Sequence, residues 1–159
     1  MGVTDWLEAS ALGVWTRESP SIWAYPTILT LHTIGLGMLA GANAVVDFRL
    51  LAFAPRLPLS SLLPLYRFMW SGLAINVVTG VVLFVAEATS KARQPVFFVK
   101  LTVIALALAT TVKIRSSLLQ DPAIEHSGTI PRRARQLALL SLLLWTAAIT
   151  AGRLMAYLR

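Results

Sequence analysis

Apolar residues run along this chain in four long stretches, separated by shorter polar connections that carry proline. Windows of about 20 residues, almost free of charge, fall at 24–47, 64–86, 96–115 and 136–158. At 1.5 Å per residue each is long enough to cross roughly 30 Å of hydrocarbon as a helix. The connections at 52–63, 87–95 and 116–134 make successive helices antiparallel. The expected fold is therefore all-α, an integral-membrane four-helix up-down bundle over residues 23–159. Ahead of it, residues 1–22 place Trp6, Leu7, Leu12 and Trp15 on one side of a short amphipathic helix, which Ser19-Pro20 ends. That segment reads as an interfacial anchor. Asp5 and Glu8 stand where a signal peptide would be basic, so it is not expected to be cleaved.

Composition sharpens the class: 57% of the residues are hydrophobic, 13% are charged and the mean hydropathy is +0.71, well outside the range of soluble domains. The chain has no cysteine, which excludes disulfides, thiolate metal sites and covalent c-type haem. A net charge of +7 reads as a topology signal and not as a nucleic-acid surface. Eight basic residues (Arg49, Arg56, Arg67, Lys113, Arg115, Arg132, Arg133 and Arg135) flank the first and third connections, against four (Arg17, Lys91, Arg93 and Arg159) on the other side. The positive-inside rule then predicts a bacterial inner-membrane protein with both termini in the periplasm.

Ionisable groups inside hydrocarbon are costly and mark candidate sites. In an alternating bundle His32, Glu87, Lys100 and Arg153 fall at one depth, in the outer half. Helical spacing puts Tyr25, His32, Leu39 and Asn43 on one stripe, and Met69, Gly72, Asn76, Gly80, Leu83 and Glu87 on a second. Arg153 and Tyr157, four apart, are expected to share a face of the last helix. A cluster of this kind either locks the packing, with Glu87 paired to Lys100 or Arg153, or binds a ligand. At the inner level Asp47 is expected to pair with an Arg or Lys as a structural lock. Gly37-Met-Leu-Ala-Gly41 is a GxxxG patch suited to close packing, within the bundle or onto another subunit.

The ligand reading centres on haem b or a similar redox cofactor. His32 is the metal ligand, and Lys100 and Arg153 hold the propionates; Glu87, Tyr25 and Asn43 complete the site. A second axial ligand is hard to find, because His126 sits in a connection on the opposite side; Met38 or a partner's residue are the alternatives. Copper would want clustered His, Met or Cys ligands, and the methionines are scattered. Copper or small-solute transport and a cofactor-free accessory subunit of a larger complex, or a homo-oligomer, remain as other readings. No hydrolase or phosphate-loop motif appears, so no catalytic residue is assigned and an enzyme acting alone is not expected.

The order "LHTIGLGMLAG", "VVDFRLLA", "NVVTGVVLF", "QPVFFVKLTVIALAL" and "AAITAGRLMAYL" resembles an uncharacterised bacterial family of four-helix membrane proteins. More distantly it is similar to the membrane domain of copper resistance protein D. The resemblance implies an inner-membrane fold in which His32, Lys100 and Gly152-Arg153 are family positions. A histidine in helix 1 with a lysine early in helix 3 also resembles, in pattern only, the HemJ-type haem b membrane proteins. Lys113-Ile-Arg115 stands where members of the uncharacterised family carry a second histidine.

Overall fold

The computed structural model describes residues 2–116, 130–155 and 157, and every regular element among them is helical. Two short helices, α1 (Val3–Glu8) and α2 (Ala11–Glu18), precede α3 (Tyr25–Leu50). A 3-10 turn (Leu59–Leu62) leads into α4 (Leu63–Ala86), followed by α5 (Ala88–Arg93), α6 (Pro95–Ile114) and α7 (Arg132–Leu154). Proline stands in the first turn of α3, α4 and α6, and Pro131 caps α7. There its fixed φ suits the helix and its missing N–H costs nothing. The four long helices are long and apolar enough to cross a membrane.

The four windows match these helices with shifted ends. α3 continues to Leu50, so Asp47 and Arg49 are helical and buried. It stops in a left-handed turn: Ala52 has φ 68° and Phe53 N–H donates to Phe48 C=O at 3.1 Å. The Phe48 and Phe53 rings, 5.6 Å apart, close that turn in the manner of a Schellman end. α7 begins earlier than its window and ends at Leu154. Tyr157 therefore lies beyond the helix and is exposed, so the expected shared face with Arg153 is not formed.

α3 packs along both α4 and α7, and α6 packs along α7. Gly35 meets Gly72 while His32 meets Gly80, so α3 and α4 run antiparallel; Lys100 against Gly152 shows the same for α6 and α7. The crossing of α3 and α4 is close enough that a Cβ on Gly35 would stand 2.8 Å from Gly72 O, and one on Gly72 would stand 2.7 Å from Met38 Cβ. The GxxxG patch does not make this contact. Cβ atoms on Gly37 and Gly41 would meet nothing within 4 Å, because both glycines turn away from the bundle.

The dry core occupies the half of the bundle remote from α1 and α2, where Leu39, Val46 and Leu50 of α3 pack with Tyr66 and Met69 of α4, Ile114 of α6 and Trp145 of α7. The other half is capped by the N-terminal helices, which are two where one was expected. Ser10 breaks them and caps α2 by accepting from Gly13 N–H at 3.2 Å. Arg17 donates to Ala86 O at 3.0 Å, satisfying a carbonyl at the end of α4. Thr89 N–H donates to Glu8 Oε2 at 3.0 Å; Thr89, through its hydroxyl and its N–H, holds the Glu8 carboxyl below the usual carboxylate range. α2 packs through Gly13 and Thr16, which leaves Trp6, Leu12 and Trp15 exposed. The apolar side of the segment thus faces away from the bundle.

Candidate functional site

At the capped end a space of about 280 Å³ opens, lined by residues of all four long helices. Its polar lining is Tyr25 and His32 from α3, Glu87 and Lys91 around the start of α5, Lys100 from α6 and Arg153 from α7. Its apolar wall includes Leu29, Leu83, Phe84, Phe97 and Met155. Five of the six expected site residues therefore converge: Tyr25, His32, Glu87, Lys100 and Arg153. Asn43 does not. It lies eleven residues further along α3, buried in the other half, where its Oδ1 accepts from Thr111 at 2.7 Å and its Nδ2 donates to Leu39 O at 2.8 Å. Equal spacing along a helix keeps residues on one face but not at one depth.

His32 is held by groups on α4. Its Nδ1 lies 3.0 Å from Thr79 Oγ1, and that hydroxyl donates its single proton to Ile75 O at 2.6 Å. With its proton on Ile75 O, Thr79 accepts from the ring, the arrangement that pairs a protonated Nδ1 with a free Nε2 lone pair. Asn76 Nδ2 donates to His32 O at 2.8 Å and holds the backbone of the same residue. Gly80 leaves room for the ring; a Cβ there would stand 3.1 Å from His32 Cε1.

The charges are arranged otherwise than expected. Glu87 pairs with Lys91 at 3.1 Å, one helical turn away, and not with Lys100 or Arg153. Among the described residues Lys100 and Arg153 have no carboxylate partner. Lys100 is half-buried, and a Cβ on Gly152 would stand 3.7 Å from its Nζ, so glycine makes the space in which the ammonium sits. The site therefore carries three cations and one carboxylate. Phe84 and Phe97, stacked with centroids 5.2 Å apart, bridge α4 and α6 along its side.

Other expectations resolve as follows. Met38 packs at the Gly72 crossing and does not line the space; Met155 does, and it is buried. His126 lies outside the described residues. Asp47 has no ion pair among the described residues: Arg49 turns away to donate to Leu57 O, and both Asp47 oxygens are without a hydrogen bond. Thr79, Lys91, Phe84, Phe97 and Met155 were not read from the sequence as parts of the site. For Thr79 a signal existed, since it follows Asn76 by three residues on the α4 stripe. The rest depend on how α4, α5 and α6 turn.

A family model described as a family of unknown function (DUF6644) matches residues 3–158. No curated protein and no solved structure matches the chain. The family match supports the likeness to an uncharacterised family; the more distant likenesses, to the copper resistance protein D domain and to HemJ-type proteins, find no support in these comparisons.

Proposed function

Because the chain belongs to the DUF6644 family, to which no function is assigned, we propose its role from the site itself: a multi-pass membrane subunit that binds haem b or a similar redox cofactor in the pocket. The observation that carries this reading is an imidazole held through Nδ1 by Thr79, lining a space with two cations that have no carboxylate partner among the described residues. An apolar ligand with anionic groups and a metal uses all three. His32 would hold the metal, the buried Met155 thioether on the same lining could join it, and Lys100 and Arg153 would hold anionic groups of the cofactor. A porphyrin is wider than a space of about 280 Å³. The stacked Phe84 and Phe97 would have to part to admit it. The group would bring one-electron chemistry; the chain itself orients it and shields it from water.

The test is the absorption spectrum of the detergent-purified protein, as isolated and after addition of haemin. A Soret band that is lost or displaced in His32→Ala is the expected result. A band identical in wild type and His32→Ala, or no band under either condition, overturns the reading.

The net positive charge of the pocket favours a second reading, passage of a small anionic solute through the bundle. Copper transport has less to stand on, since no group of three His, Asp or Glu suited to a metal occurs among the described residues. In the orientation we propose, the pocket and the N-terminal helices face the periplasm, which the excess of basic residues at the other end favours. The protein has no cysteine, so single cysteines report cleanly. Ser90→Cys should react with an impermeant maleimide in intact spheroplasts and Ala54→Cys only after lysis; the opposite pattern reverses the orientation.

A further inference from the structure

The dry half of the bundle holds a carboxylate that the protein itself does not satisfy. Asp47, on α3, is 1% exposed, and neither of its oxygens has a hydrogen bond. Ser141 of α7 is fully buried beside it, close enough to interact with the carboxylate yet outside hydrogen-bonding geometry, and its hydroxyl is also unbonded. One turn before Asp47 on the same face of α3, Asn43 Oδ1 takes a single hydrogen bond from Thr111 of α6, which leaves it a second lone pair. Tyr66 of α4 lies near Asp47 as well. Buried side-chain oxygens of α3 and α7 thus meet at Asp47 and Ser141, with Tyr66 of α4 acting electrostatically on Asp47 and Thr111 of α6 bonded to Asn43 one turn away.

Among the described residues no cation stands within ion-pair distance of Asp47. Arg49 is turned to Leu57 O, and Arg115 lies over the outer face of the Tyr66 ring, 5.5 Å from its centroid. Burying a carboxylate with no partner is among the costliest arrangements a fold can hold, and here it sits among three further oxygen-bearing side chains. A hard cation bound by oxygen completes such a set. A single carboxylate among neutral oxygens balances one positive charge, whereas calcium sites commonly draw on several carboxylates.

We propose that Asp47, with Ser141 Oγ and Asn43 Oδ1, binds a monovalent cation of sodium's class between α3 and α7, at the end of the bundle opposite the pocket. A water in the same region would take the Trp145 Nε1 hydrogen, which is unbonded one turn further along α7. The site is independent of what the pocket binds.

A ligand that binds only the folded state stabilises it by RT ln(1 + L/Kd), where L is its free concentration, so the unfolding temperature climbs with the logarithm of that concentration above Kd. Thermal unfolding of the purified protein in detergent, titrated with sodium chloride against choline chloride at constant ionic strength, reads this directly. The midpoint should rise with sodium and go on rising with its logarithm, Asp47→Asn should abolish the rise, and Ser141→Ala should displace the curve to about fivefold higher sodium, the loss of one ligand of ordinary strength. A wild-type midpoint indifferent to sodium, as for water or a proton at Asp47, overturns the proposal. So does a sodium response that survives in Asp47→Asn. Should that variant not fold, Ser141→Ala decides alone, and a curve that is not displaced along the sodium axis overturns the proposal.

Discussion

Gly72→Ala is expected to destabilise the bundle by about 1–3 kcal/mol, the usual cost of forcing a methyl group into a close-packed contact, whereas Gly41→Ala should be close to neutral. The added Cβ at Gly72 would stand 2.7 Å from Met38 Cβ, 2.8 Å from Gly35 O and 3.0 Å from Leu39 N. Two of those three atoms belong to the α3 backbone, which cannot rotate aside as a side-chain tip can, so the whole helix must shift. The shift would reach the site, because Asn76 and Thr79, one and two turns further along α4, hold His32 O and Nδ1. Gly35→Ala meets the mirror obstacle, with Gly72 O at 2.8 Å and Asn76 N at 2.9 Å. Thermal or SDS-titrated unfolding in micelles measures the difference. Equal stability of Gly72→Ala and Gly41→Ala would show that α3 and α4 do not cross at Gly35 and Gly72.

Lys100→Gln is expected to weaken haemin binding by roughly 10- to 150-fold while leaving the ligand-free protein as stable as wild type, or more so. The first effect is the loss of one charge-assisted contact, worth about 1.5–3 kcal/mol. The second follows from Lys100 having no carboxylate partner in a half-buried position: an unpaired charge there opposes folding, and removing it relieves that cost. Arg153→Gln should act in the same direction but less strongly, because Arg153 is exposed and solvent screens it. Arg56→Gln, in the connection at the other end, serves as the control. Haemin titration followed at the Soret band gives the affinity, and thermal unfolding without haemin gives the stability. A Lys100→Gln protein that unfolds earlier than wild type but binds equally well would assign Lys100 to a structural network and remove it from the binding site.

The correction at Asp47 follows from helix geometry. An Asp and an Arg two residues apart point to different sides of a helix, and α3 continues far enough to carry both. Asp47 is therefore turned inward while Arg49 reaches the following connection. Glu87 illustrates the same principle in the other direction. It stands at the elbow between α4 and α5, so Lys91, four residues on, comes within 3.1 Å before any cation on another helix can.

Two properties of the chain were determined by its sequence alone: four apolar helices joined by proline-marked connections, and the common level of His32, Glu87, Lys100 and Arg153. Both are local or additive quantities, since apolar length follows from composition and depth from counting 1.5 Å per residue along alternating helices. Tertiary structure decided the rest. Gly35 and Gly72 form the crossing while Gly37 and Gly41 face outward, because rotation about a helix axis is set by its neighbours and α3 is apolar almost all round. The partners of His32 and Glu87, the inward turn of Met155, and the solitude of Lys100 and Asp47 depend on which helices approach and which diverge. Periodicity places a residue on a face and at a depth, but only packing determines what stands opposite it.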